Sequence, residues 1–148
     1  IEGIRARGGR VLEPKTAAID QVKGAALARS LGHKCVAVTV TLPDDAQEIR
    51  RADDDAIIFG VHLTGISRED AEQLVEYCDI VSGCASRWVR EAAGKIALLQ
   101  AGSSIPVFAL TGRGKALIAE KIKETQLRLL VKVEKFPIAT DGGPKPLV

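Results

Sequence analysis

Aromatic residues are scarce in this 148-residue sequence, and neither sign of charge is in large excess. The chain contains one Trp, one Tyr and three Phe, and its 21 Lys and Arg residues nearly balance 19 Asp and Glu residues, for a net charge of +2. Proteins that bind nucleic acid usually concentrate basic residues, and those that bind single strands stack aromatic side chains on the bases. We therefore predict no nucleic-acid partner.

Long hydrophobic runs and paired cysteine motifs are also lacking. No apolar stretch approaches the ~18 residues of a membrane helix, and the N-terminus has no hydrophobic region of the signal-peptide type. Cys35, Cys78 and Cys84 form neither a C-x-x-C pair nor a Cys/His cluster of the zinc-binding type. We interpret them as free thiols in a reducing compartment, and we expect a cytoplasmic protein without membrane association.

Short β-branched runs alternate with segments of helical period, a pattern typical of βαβ units. We predict an α/β fold of three layers, α/β/α, with a mainly parallel sheet of five to six strands in a Rossmann-like or flavodoxin-like order. The predicted strands are residues 10–12, 35–40, 56–61, 80–81, 105–110 and 129–133. The predicted helices are residues 16–31, 43–53, 68–77, 86 to about 102, and 115–125.

The sequence also suggests domain boundaries. Residues 1–9 resemble the end of a helix that reaches a glycine cap at Gly8-Gly9, so we interpret them as the end of a preceding helix from a missing N-terminal region. Residues 10–138 form the α/β domain in this interpretation. The turn-rich residues 139–148 form a C-terminal tail.

Three glycine-bearing turns follow predicted strands and precede predicted helices: residues 62–67, 82–87 and 111–115. In a parallel sheet with right-handed crossovers such turns converge on one edge. Free backbone N–H groups and the dipole of a helix favour an anion there. The predicted ligand-binding residues are Thr64, Gly65, Gly83, Ser86, Arg87, Thr111, Gly112, Arg113 and Lys115.

The glycine-rich turn at residues 111–115 has a second interpretation. It lacks the spacing of a P-loop and the Ser or Thr that follows the P-loop lysine, and no G-x-G-x-x-G follows the first predicted strand. A nucleotide triphosphatase is therefore disfavoured. Thr111 would more simply cap the following helix while the glycines allow a tight turn.

Cys84 is the most suggestive single residue. A thiol at the start of a helix, close to Arg87, is expected to have its thiolate form favoured. With His62 it would form a nucleophile–base pair or half of a soft metal site, although packing is the more common role of a small thiol at the end of a strand. We predict core packing for Cys35 and Cys78 and a solvated loop for residues 53–55, and we assign no metal site.

Six segments carry a resemblance to a known family: GGRVLEP at 8–14, IDQV at 19–22, VHLTGIS at 61–67, CASR at 84–87, ALLQAG at 97–102 and IPVFALT at 105–111. Together they resemble the C-terminal half of the methanogenesis marker protein 8 family, which comprises uncharacterised proteins of methanogenic archaea. The resemblance implies a cytoplasmic archaeal protein associated with methanogenesis, with its own N-terminal domain as a partner. It transfers no catalytic residue and identifies no cofactor.

Two hypotheses of function follow. The first is a binding or assembly module that holds an anionic small molecule, such as a coenzyme of methanogenesis, at the carboxyl edge of the sheet. The second is a small-molecule enzyme that uses Cys84 as nucleophile or metal ligand with His62 as base. Trp88 would pack in the core, contact the ligand or support a homo-oligomer.

Overall fold

The computed structural model describes residues 1–126, 133 and 135–138. Within that part the chain is a mixed α/β protein with a five-stranded open sheet and six helices. The strands are β1 (Ala37–Val40), β2 (Ile57–Gly60), β3 (Ile80–Ser82), β4 (Leu99–Ala101) and β5 (Val107–Ala109). The helices are α1 (Glu2–Ala6), α2 (Gln21–Ser30), α3 (Pro43–Ala52), α4 (Arg68–Tyr77), α5 (Arg87–Ile96) and α6 (Gly112–Glu124).

The sheet is parallel only in its first part. Its strand order is β1-β2-β3-β5-β4, with β1, β2 and β3 mutually parallel. Strand β5 runs antiparallel to both of its neighbours, β3 and β4. The predicted strand at residues 105–110 is therefore present, but its direction is opposite to the one that we expected. This reversal decides which loops share an edge of the sheet.

Two further sequence predictions about strands need correction or lie outside the described residues. Residues 10–12 form no strand, because this short apolar run lies between the pair Gly8-Gly9 and Pro14 and hydrogen-bonds to no neighbouring strand. The predicted strand at 129–133 lies outside the described residues except for Val133, which is in no strand.

Strand β4 was predicted as the end of a long helix. Instead α5 ends at Ile96, and Leu98 donates a backbone hydrogen bond of 2.8 Å to the carbonyl of Ala109. Pairing with β5 thus overrides the helix propensity of the Ala-Leu-Leu segment, as tertiary contacts often do. Gly102, at φ +75°, turns the chain from β4 toward β5.

The helices cover the two faces of the sheet unequally. Helices α2, α3, α4 and α5 pack side by side over the inner face, where Ile58, Val81 and Phe108 are fully buried. On the outer face, α6 packs against β5. Ala37 and Thr39 of β1 remain exposed on that face, and Phe59 of β2 remains half-buried.

Polar side chains begin the helices that border the sheet edges. Ser67 caps α4 by accepting a hydrogen bond of 3.0 Å from the backbone N–H of Asp70. Ser86 caps α5 through the N–H of Val89 at 3.2 Å. Each cap satisfies a backbone donor at the first turn and fixes the direction in which the helix leaves its loop.

Candidate functional site

The carboxyl edge of β1, β2 and β3 is the edge to which the sequence assigned a binding site. The loops that leave β2 and β3 lie there, and so does the turn between β4 and β5, because Ala101 and Val107 align with Ser82. The N–H of Gly83 donates to the carbonyl of Pro106 at 2.7 Å. Two loops are thereby joined at the end of β3.

Arg90 holds this pair of loops together, and the sequence analysis did not single it out. Its guanidinium donates to the carbonyl of Cys84 and, at 3.0 Å, to the carbonyl of Ser104. Gly83 is buried beneath it, and a Cβ at that position would lie 2.8 Å from Cγ of Pro106. The sequence did contain a signal for this role: an arginine lies one turn into a helix that follows a glycine-bearing loop.

His62 and Cys84 occupy strained positions directly after β2 and β3. Both have left-handed backbone conformations, with φ of 58° and 44° respectively. For a residue other than glycine this conformation costs about 1–2 kcal/mol, although histidine tolerates it better than most residues. Strain of this kind concentrates at functional sites. The two candidate catalytic residues therefore both have a positive φ at the second residue after neighbouring parallel strands.

The side chain of Cys84 is half-buried. Its Sγ donates to Oγ of Ser82 at 3.4 Å, so the thiol turns back toward the end of β3. His62 is exposed on the loop after β2. The parallel register that pairs Gly60 with Val81 places both residues at one edge of the sheet.

The start of α5 differs in charge from the starts of α3 and α4. Helices α3 and α4 carry acidic residues in their first turns, Asp44 and Asp45 in one and Glu69 and Asp70 in the other, whereas α5 carries none. A carboxylate at a helix start already satisfies the positive end of the dipole. The dipole of α5 therefore has no such compensation from its own first turn.

Two arginines lie against the ring of Trp88 at the start of α5. The guanidinium carbon of Arg87 lies 4.1 Å from the centre of the Trp88 ring, and that of Arg68 lies 5.5 Å from it. Stacking on an aromatic ring orients a guanidinium while leaving its N–H groups available. Both arginines are more than half exposed and form ion pairs with a glutamate one turn along their own helices. Trp88 itself is partly buried against the core.

The other predicted residues of this edge lie in its loops and at the start of α5. Gly65 adopts a φ of 85° in the exposed loop after β2, next to the exposed Thr64. Ser86 is fully buried as the cap of α5. The edge thus brings together Thr64, Gly65, Gly83, Ser86 and Arg87 with His62 and Cys84.

The turn at residues 111–115 lies at the opposite edge of the sheet, so the prediction that all three turns converge is wrong. Because β5 is antiparallel to β3, the end of β5 aligns with the start of β3. Thr111, Gly112, Arg113 and Lys115 follow that end. Thr111 caps α6 by accepting from the N–H of Gly114 at 3.1 Å, which confirms the simpler interpretation of this turn.

Asp79 is the centre of that opposite edge, and the sequence analysis missed it. Its side chain is fully buried and accepts hydrogen bonds from Thr111 Oγ1 at 2.6 Å, Arg50 Nη2 at 2.7 Å and the N–H of Ile58 at 2.9 Å. Burial alone would raise its pKa, but these donors outweigh burial and lower the pKa below the ordinary value. An aspartate directly before an apolar strand was the signal for such a role.

The acidic residues 53–55 also lie at this edge and make structural contacts. Asp53 forms a two-pronged ion pair with Arg29, with Arg29 Nη2 2.6 Å from Asp53 Oδ1. The carbonyl of Asp54 accepts from Arg113 at 2.7 Å and from Arg50 at 2.6 Å. In the described part of the chain no group of three or more His, Cys, Asp or Glu residues could hold a metal ion.

The other two cysteines differ from each other. Cys78 is buried, and burial raises the pKa of its thiol to about 12, so the predicted packing role is confirmed. Cys35 is exposed, which makes its predicted core position wrong. Strand β1 begins only at Ala37, so Cys35 belongs to the preceding loop.

None of the helices within the described residues is both long and apolar enough to cross a membrane.

Comparison with known proteins gives one family and one curated relative. The family described as uncharacterized protein conserved in archaea (DUF2099) matches residues 1–123. An uncharacterized protein of Methanocaldococcus jannaschii is 43% identical over 152 aligned residues, which cover 100% of this chain and 53% of the relative. The chain thus spans about half the length of the curated relative that it matches. No solved structure matches the chain significantly.

Proposed function

Because the chain belongs to the family of uncharacterized archaeal proteins DUF2099, we propose that it is part of a cytoplasmic protein of methanogenic archaea that binds an anionic small molecule. The resemblance to the methanogenesis marker protein 8 family and the methanogen relative support this setting. A coenzyme of methanogenesis that carries phosphate, carboxylate or sulfonate is the ligand class that we favour. The activity is binding or assembly in this proposal.

One observation carries the proposal: the start of α5 combines an uncompensated helix dipole with Arg87 and Arg68 held on Trp88. An anion at this point would accept from free backbone N–H groups and from guanidinium groups at once. Arg113 and Lys115 contribute nothing here, because they lie at the other edge. In the proposed site Arg87 and Arg68 contact the anion, Thr64 and Gly65 lie in the neighbouring exposed loop, and the buried Gly83 and Ser86 shape the loop and the start of α5 beneath it.

Anion binding is tested by thermal unfolding of the full-length protein in phosphate, sulfate and an alkyl sulfonate. An anion at 100 times its dissociation constant is expected to add about 2.7 kcal/mol to the free energy of unfolding. Arg87→Ala removes a charged donor, worth about 1.5 kcal/mol or more, and should raise the dissociation constant about tenfold.

Lys95→Ala is the matched control, since Lys95 is an exposed cation in the last turn of the same helix. Lys95→Ala should leave the stabilisation by anions in thermal unfolding unchanged. An equal loss of response in both variants would indicate general charge screening and would contradict the proposed site. So would the lack of any stabilisation by the three anions.

The strained conformation of Cys84 favours a second candidate function, an enzyme in which Cys84 acts as nucleophile or metal ligand with His62 as base. This function predicts that Cys84 reacts with iodoacetamide near pH 7 faster than Cys35, although Cys35 is the more exposed of the two. Buried Cys78, with its raised pKa, should react only after unfolding. Site-resolved mass spectrometry measures all three rates in one sample.

This experiment distinguishes the binding function from the enzyme function. A Cys84 that reacts more slowly than Cys35 contradicts the enzyme and leaves the binding function intact. Under the binding function, Cys84→Ser retains the stabilisation by anions, whereas under the enzyme function the same change abolishes turnover. Rapid labelling of Cys78 in the folded protein would contradict the described core.

A further inference from the structure

The outer face of the sheet is apolar and largely uncovered beside β1 and β2. Strand β2 is hydrophobic at every side-chain-bearing position, a pattern typical of strands buried on both faces. Yet Phe59 and Ile57 are only half-buried on this face, and Ala37 and Thr39 of β1 are exposed. Parallel strands are normally covered on both sides. The described residues supply that cover only beside β3 and β5, through α6.

A groove marks the border between the covered and the uncovered parts. It has a volume of about 450 Å³. Phe59, Ile80 and Val107 form its floor, and Leu117 and Ile118 of α6 form one wall. Leu117 is 41% exposed there, an unusual position for a leucine that faces a sheet.

The chemistry of this groove suits apolar side chains rather than a free anion. Lys121 is the only charged residue that lines it among those described, and its Nζ lies 2.8 Å from Oε2 of Glu124. The rim thus offers no uncompensated charge from that lysine. Apolar contact area is what the groove can supply, at about 25 cal/mol per Å² buried.

The length of the M. jannaschii relative indicates what covers this face. Since 152 aligned residues are 53% of the relative, it has about 287 residues, of which about 135 lie outside the matched region. A segment of that size forms a domain, and domains of one chain typically share interfaces of about 600–1,500 Å². We propose that the outer face of β1 and β2, together with the groove under Leu117, binds the part of the longer family protein that lies outside the matched half.

Photo-crosslinking in the full-length protein tests this proposal. A benzophenone amino acid replaces Thr39 on the outer face and, as a control, Ala26, which is exposed on the helical side of the sheet. The probe at position 39 should crosslink to peptides from outside the matched half, and the probe at position 26 should not. Crosslinks from position 39 to residues 1–148, a crosslinked dimer of two copies, or no crosslink would each overturn the proposal.

A matched pair of substitutions gives a second measurement. Leu117→Lys places a charge in the groove, and Leu42→Lys places the same charge on another exposed leucine, 59% exposed at the start of α3. Both positions tolerate lysine sterically, so both variants are expected to fold. Losing the burial of one leucine lowers the equilibrium constant for docking about tenfold, so the fraction crosslinked at position 39 should fall in Leu117→Lys and not in Leu42→Lys. Unchanged crosslinking in that variant, or equal loss in both, would contradict a role for the groove.

Discussion

Replacing Asp79 by Asn is expected to lower the free energy of unfolding by about 3–5 kcal/mol, because it leaves a largely buried Arg50 without its carboxylate partner. Arg50 Nη2 lies 2.7 Å from Asp79 Oδ2, and the aspartate is fully buried. The same carboxylate ties Thr111 and the backbone of Ile58 together. Chemical denaturation at pH 7 measures this loss.

The effect of Asp79→Asn should also depend on pH. The folded protein holds the pKa of Asp79 below the ordinary value of 3.8, so ionised Asp79 contributes its full stabilisation above about pH 5. The contribution is lost as pH falls below the ordinary value and through the lowered pKa of the folded state. The gap in stability between wild type and variant should therefore narrow in acid.

Asp54→Asn is the control for this prediction. Asp54 is exposed, and Arg50 and Arg113 contact its backbone carbonyl rather than its carboxylate. Its free energy of unfolding should stay within about 0.5 kcal/mol of wild type. The prediction would be contradicted if Asp79→Asn lowered the free energy of unfolding by as little as Asp54→Asn. It would also be contradicted if the difference in stability between wild type and Asp79→Asn grew as the pH fell.

Replacing Gly114 by Ala is expected to cost about 3 kcal/mol, although alanine is the better helix former. A Cβ at position 114 would lie 2.2 Å from the carbonyl oxygen of Asp79 and 3.0 Å from Cγ1 of Ile80. The first neighbour is backbone, so α6 would have to move away from the start of β3. That movement would also weaken the bond between Thr111 and Asp79, and thermal unfolding measures the result.

Gly24→Ala in α2 should have the opposite effect. Nothing lies within 4 Å of a Cβ at Gly24, so the substitution gains helix propensity without a clash, worth about 0.5–1 kcal/mol. The two substitutions change the free energy of unfolding in opposite directions because only Gly114 is packed against backbone. Stabilisation by Gly114→Ala would mean that α6 does not approach β3 as described.

Local sequence patterns predicted much of the fold. The runs at β1, β2 and β3 are mostly apolar, and each of α4 and α5 begins directly after a serine that caps it. These features depend on neighbouring residues only. The predicted end of α5 was wrong because the Ala-Leu-Leu segment favours a helix locally. Its strand pairing depends on β5, several residues further along the chain.

The candidate site was predicted only in part for a related reason. Nothing in residues 105–110 specifies whether the strand runs parallel or antiparallel to β3, since an apolar run has no direction of its own. The short turn at Gly102 specifies it, because a short turn joins antiparallel neighbours. The register of β2 and β3 puts His62 and Cys84 at one edge of the sheet, whereas Thr111 and Arg113 lie at the opposite edge and not at the predicted one.

Because β5 runs antiparallel to β3, the two ends of the sheet carry different groups of residues. Folding contacts centred on Asp79 occupy one end, while the loops of His62 and Cys84 and the stacked Arg68 and Arg87 occupy the other. Substitutions that are far apart and share no partners usually act additively. The loops that contain His62 and Cys84 can therefore diverge among relatives without weakening the ionic centre that holds β3, β5 and α6 together.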